Sequence, residues 1–260
     1  MILLTALTFC SVPVTAQNSL SDSVPVSAEN FKLDILGNIY WVEGNTLNKY
    51  RIQDQQVMEY NNAFLGTIHT FDVTNPMKIL VYHDEYNQLQ YLDKNLSELS
   101  SPLSLDQINP TQVKAICSSQ KGGMWILNQS SEQIEYYDRN LRLINATVPP
   151  EILLSSRFRE IQLIEKHNML YAFLPGCCLL SFDLYGNFSQ KHPLKNVDNI
   201  QIINENILYF YEGALNSYSL NTLKTTQVTT GIPEGNWDLI KTSKAGKVYA
   251  LKGDKIFIYK

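Results

Sequence analysis

Charge is scarce in this chain. Asp, Glu, Lys and Arg make up 18% of its 260 residues and leave a net charge of −4, where ordinary globular domains carry about a quarter. A basic nucleic-acid-binding surface is therefore not expected. Histidine is also rare, four residues at 69, 83, 167 and 192 with no common spacing, and the four cysteines show no zinc-site pattern. No Gly-x-Ser-x-Gly elbow, His-Glu-x-x-His helix or phosphate-binding glycine loop occurs. No catalytic residue, metal site or cofactor is expected. Helical periodicity is nearly absent, the best window being the short Pro150–Arg159. What remains is a chain that is 44% apolar, with 15 Tyr, 10 Phe and 3 Trp, a composition that favours strands.

Those aromatics recur. In Gly122–Leu143 an apolar run around Trp125 is followed by Ile134, Tyr137 and Asp138. The same order returns at Tyr40, Leu80, Tyr171, Tyr209 and Tyr249. These anchors lie 40, 45, 46, 38 and 40 residues apart, a period characteristic of propeller blades. A short apolar run precedes each anchor: Lys32–Leu36, Ile68–Val73, Val113–Cys117, Ile161–Glu165, Ile200–Ile203 and Leu239–Lys241. A more polar run follows five of the six units. The expectation is an all-β fold, a six-bladed β-propeller of four-stranded blades. The sixth repeat stops at Lys260 after its third strand. Ser23–Ser27 is the one unassigned strand-like segment, and Pro25 is tolerated on an outer edge. It is expected to pair with Lys255–Tyr259 and close the ring.

Residues 1–16 carry no charge and are too few to span a membrane comfortably. Val14-Thr15-Ala16 reads as a small-residue cleavage site before Gln17. The expected organisation is a signal peptide at 1–16, a linker with the closing strand at 17–30, and one propeller domain at 31–260. The chain is expected to be exported, periplasmic or secreted, with no transmembrane span in its mature form. The first stretch lacks the usual Lys or Arg, and a lipoprotein anchored at Cys10 is the alternative. Three cysteines then remain, so at least one has no partner within the chain. Cys177 and Cys178 are adjacent; they read as buried apolar residues, with a vicinal disulfide as the alternative.

Several constellations invite a chemical reading. Ser118–Trp125 resembles an Asp-box turn with Gln120 in place of the central Asp, which is a folding device, and Thr242–Tyr249 fits it more loosely. His83-Asp84-Glu85-Tyr86 groups metal-capable side chains in one turn, but hard cations need more converging oxygens, so a solvated turn is expected. Asp34, Asp72 and Glu165 are the acids nearest the innermost strands. An enzyme would need them to converge in one channel. The last repeat holds Lys241, Lys244, Lys247, Lys252, Lys255 and Lys260 against Asp254. They read as solvent-facing strand positions, with an anionic partner as the alternative.

The phrase Asp34–Val42, followed by Leu47 and Tyr50, resembles the blade grammar of bacterial propellers with NHL-type and sensor-regulator-type repeats. Asn75–Leu80, with Tyr86-Asn87-Gln88 and Leu92-Asp93, resembles a group of small exported Bacteroidetes propellers. The resemblance covers most of residues 31–260 and implies fold and compartment only.

The functional expectation is a cell-envelope or secreted module that binds a protein or glycan partner or serves as a scaffold. The alternative is a hydrolase or lyase using the central channel. In a four-stranded blade, turns between strands two and three share a face with the inter-blade connections. The long loops of that face point to Tyr86, Arg157, Phe158, Arg159 and Trp237 as the ligand-binding border. The alternative for Phe158 and Trp237 is packing between blades.

Overall fold

The computed structural model describes residues 19–108, 113–229 and 231–260. Among them, twenty-four strands form six four-stranded sheets, arranged as a six-bladed β-propeller. Blade 1 runs outward from Lys32–Leu33 through Ile39–Glu43 and Thr46–Arg51 to Gln56–Tyr60. The innermost strands of blades 2 to 6 are Ile68–Asp72, Ala115–Ser118, Gln162–Lys166, Gln201–Ile203 and Leu239–Thr242. Blade 1 opens with only two strand residues because Asp34 turns the chain. Its Oδ1 accepts from the Leu36 and Asn38 backbone N–H groups, an Asx-type turn.

Blade 6 is made from both ends of the chain. Leu20–Pro25 pairs antiparallel with Lys255–Tyr259, with Val24 opposite Ile256 and Pro25 opposite Lys255. The closing segment anticipated at Ser23–Ser27 thus starts three residues earlier. Val24 and Val26 are both buried, and Asp22 accepts from the Tyr50 hydroxyl of blade 1. The expectations for the leader, Gln17 and Cys10 lie outside the described residues.

Burial explains why the middle strands read as apolar runs rather than alternations. Each blade is covered on both faces by neighbours, so both sides of a middle strand are inside. In blade 4, Cys178–Phe182 is buried throughout, whereas the outermost Phe188–Pro193 is largely exposed. Among the described residues the core is accordingly divided into six clusters, one at each blade junction. Between blades 3 and 4, Trp125 packs on Tyr136 with ring centroids 5.0 Å apart. The turn before Trp125 is the Asp-box-like one. Gly122 N–H donates to Ser119 O, and Ser119 Oγ accepts from Lys121 N–H. A Cβ on Gly123 would lie 2.0 Å from Tyr137 O, so only glycine lets the turn approach the next strand. The helical window Pro150–Arg159 contracts to a helix at Pro150–Leu154, ended by Ser155 in the left-handed region. No helix among the described residues is long and apolar enough to cross a membrane.

Candidate functional site

Six innermost strands meeting around an axis leave six inner edges whose backbone N–H and C=O groups have no ladder partner. Such groups must be satisfied some other way. Here a side chain from an innermost strand reaches the backbone of the adjacent blade at every junction. Lys32 donates to Phe71 O between blades 1 and 2. Asp72 Oδ2 accepts from Ser118 N–H at 2.8 Å between blades 2 and 3. Between blades 3 and 4, Glu165 accepts from Gln120 N–H at 2.9 Å and from Trp125 Nε1–H at 2.6 Å. Lys166 donates to Ile202 O between blades 4 and 5. Gln201 bonds both N–H and C=O of Thr242 between blades 5 and 6. Lys241 closes the ring on Phe31 O and, at 2.8 Å, on Asn30 Oδ1.

The three acids on or beside the innermost strands are all engaged in the architecture. Asp34 also accepts from the Asn38 side chain and the Tyr40 hydroxyl. The other oxygen of Asp72 accepts from Thr74. They do not present free carboxylates to a common point. The groups that do gather are lysines. A cavity of about 970 Å³ lies on the axis, lined from all six blades by residues including Lys32, Lys166, Lys241 and Lys244 with Leu33, Phe71, Ile116, Ile164 and Ile202. Burial, and then the like charge of Lys32, lowers Lys241 to about 7. Burial also lowers Lys32, opposed by Asp72. Lys166 is lowered by burial and then by Lys244.

Lys32, Lys166 and Lys241 were not singled out as an axial group from the sequence. The signal was present: each lies within the first strand of a repeat, where a long cationic side chain among apolar residues needs a partner. Lys241 had been grouped with solvent-facing lysines, yet it is only 6% exposed. Strand alternation turns it into the junction with blade 1.

The residues named from the sequence are dispersed. Arg159 lines the mouth of the cavity, and Arg157 is exposed two residues earlier. Phe158 between them is half-buried against the core of blades 3 and 4, with the Lys114 ammonium 5.9 Å from its ring centroid. Tyr86 is exposed at its turn. Trp237 packs against Phe257 and Tyr259 at 5.6 and 6.0 Å and donates to Pro233 O, placing most of its ring in the last blade. In the His83 turn, the imidazole is buried on Gly66 O and its pKa is lowered by burial. Asp84 pairs with His69 at 3.3 Å. Among the described residues no group of three or more His, Cys, Asp or Glu is placed to hold a metal. Cys177 is exposed and Cys178 buried, their sulfurs 2.7 Å apart as free thiols. Burial, then Cys177, pushes the Cys178 thiol up to about 12.

Comparison with known proteins places the architecture. No protein-family model matches the chain, nor does any curated protein sequence. Among solved structures, a streptogramin B lyase is similar over 92% of this chain and 96% of its own, with 11% identity and a TM-score of 0.60. Virginiamycin B lyase from Staphylococcus aureus is similar over 90% and 82%, with 10% identity and a TM-score of 0.58. The WD40 propeller domain of Doa1 is similar over 86% and 74%, with 10% identity and a TM-score of 0.55. At these identities the likeness is one of fold.

Proposed function

We propose that this propeller is a binding or scaffold module of the cell envelope or the secreted fraction, engaging a protein partner through the face that carries its inter-blade connections. The observation that carries this reading is the packing of two of those loops. Thr67 Oγ donates to Asp84 Oδ1 at 2.9 Å, and His83 meets Gly66 O at 2.9 Å, so the connection after blade 1 is pinned to the neighbouring turn. Pinned in this way, the two loops still expose Phe64 at 92% and Tyr86 at 54%. Rigidly held, exposed aromatics mark contact surfaces. Arg157, Phe158, Arg159 and Trp237 border the same face. Neighbouring propellers of the fold include a WD40 domain and a component of a mitotic checkpoint complex, which supports a scaffold reading by analogy of fold alone. Export, with cleavage before Gln17 or lipidation at Cys10, belongs to this proposal, and N-terminal sequencing of the exported form decides between the two.

Capture from envelope extract identifies the partner, and substitution locates its site. Replacing Arg157 and Arg159 together with Ala weakens binding at least tenfold, about 1.4 kcal/mol, without changing the melting temperature. Loss on replacing Lys94 and Arg139 instead, with the first pair harmless, places the working face on the opposite side and overturns the assignment. A second reading, a lyase or hydrolase in the channel, is supported by the axial cavity with Lys241 near neutrality. A glycan partner is the remaining outcome of the same capture.

A further inference from the structure

We propose that the axial cavity is a binding site for an organic anion, a phosphate or carboxylate head on an apolar body, held by Lys32, Lys166, Lys241 and Lys244. This goes beyond the loop-face reading and does not rest on it.

The first argument is charge. Six cavity-lining residues are cationic, namely Lys32, Lys114, Arg159, Lys166, Lys241 and Lys244, against four carboxylates. Three of those four are already bound. Asp34 is held by its turn and Tyr40, Asp72 by Thr74 and Ser118, and Asp84 by Thr67 and His69. The fourth, Glu160, is exposed. None of the lysines is in an ion pair among the described residues.

The second argument is hydrogen-bonding capacity. An ammonium carries three N–H donors. Lys32 and Lys166 each spend one on a carbonyl, and Lys241 spends two on neutral oxygens. Burying an ammonium without a counter-charge costs several kcal/mol; Asp72 offsets part of that cost at Lys32, whereas Lys166 and Lys241 each meet only a like charge. Lys32 acts on Lys241, and Lys244 acts on Lys166. An anion between them offsets both repulsions and takes the free donors as charge-assisted bonds.

The third argument is the rest of the wall. Leu33, Phe71, Ile116, Ile164 and Ile202 supply apolar surface from five blades. A cavity of about 970 Å³ suits a metabolite-sized body rather than a bare ion.

The test titrates the full chain with phenyl phosphate and with benzoate at pH 8, using benzyl alcohol as the uncharged control, in buffers of different ionisation enthalpy. The titratable groups around Lys241 are Lys32 across the junction, its cross-strand partner Tyr249, and Asp34 beside Tyr249. Tyr249 is raised to about 12 and stays neutral at pH 8. Lys241, together with Lys32 and Lys166, which burial also lowers, takes up a proton as an anion enters, and the measured heat follows the buffer. The expected result is saturable binding of at least one anion, none of benzyl alcohol, and proton uptake on binding. Lys166→Gln and Lys241→Gln each weaken the affinity at least tenfold. Should Lys241→Gln not fold, Lys166→Gln and the exposed Lys244→Gln decide by the same criterion. No saturable binding of either anion, equal binding of benzyl alcohol, or wild-type affinity in the folded variants overturns the proposal.

Discussion

The junction between blades 3 and 4 and the junction between blades 5 and 6 solve one geometrical problem with unequal means. Between blades 3 and 4, thirteen buried residues form the packed cluster, and the axis is tied by the Glu165 carboxylate. Between blades 5 and 6 the fully buried set is Leu215, Ile240, Val248 and Ala250, and the tie is the neutral amide of Gln201. Leu208, Phe210, Val228, Ile232, Trp237 and Tyr259 fill the rest of that seam while partly exposed. A carboxylate bonded to the buried Trp125 Nε1–H and to a backbone N–H is worth more than a neutral amide bonded to a half-buried strand. The ring is thus topologically regular and energetically uneven, and its weak seam adjoins the blade that both chain ends assemble. Local opening is expected there first.

The most severe challenge to this comparison removes the outer strand of blade 6. Deleting residues 20–28 loses the burial of Val24 and Val26, about 4 kcal/mol at the usual worth of an apolar side chain. The melting temperature should fall by about 10 °C. A melting curve unchanged by the deletion would mean that the axial ties alone close the ring.

Substitution at the strong junction comes next. Trp125→Ala empties a fully buried site and should cost about 4 kcal/mol. Glu165→Ala, which leaves the buried Trp125 Nε1–H unsatisfied and removes the tie to Gln120 N–H, should cost about 3 kcal/mol. Gln201→Ala at the weak junction should cost about 1 kcal/mol. Urea midpoints measure all three. Equal losses for Glu165→Ala and Gln201→Ala would erase the distinction between the two junctions.

A smaller effect sharpens it through pH. Lys241 is lowered to about 7 in the folded chain, from 10.5. Below pH 7 it is charged in both folded and unfolded states, and folding bears the full cost of burying that charge. Between pH 7 and 10.5 the unfolded state binds more protons, so stability rises with pH as that cost is relieved. Lys241→Met should flatten this rise, and thermal melts of the two proteins at pH 6.5 and 9 measure it. An identical pH dependence in both would show that Lys241 keeps an ordinary pKa.

Much of this architecture was readable from the repeats. The six anchors, five aromatic and one Leu80, occupy second strands, and the closing strand falls where the unpaired final repeat required it, displaced by three residues. That displacement is physical: Val24 and Val26 face the core on alternate positions, and backbone pairing extends from them toward Leu20 instead of Ser27. The candidate site was less legible. That Arg157, Arg159 and Tyr86 are exposed could be foreseen, because loops expose their side chains whatever the neighbouring blade does. The placement of Lys241 could not, because its strand gives no sign of which neighbour it faces.

The sequence by itself determined the number of repeats, their four-strand order and the closure of the ring, because period, alternation and turn chemistry are local and repeat along the chain. Tertiary structure alone decided that Glu165 and Lys166, adjacent in one strand, tie opposite blades, and that lysines distant in sequence share one cavity. Side chains alternate across a strand, but what each alternate meets depends on how the ring closes, and that contact is written in no single repeat.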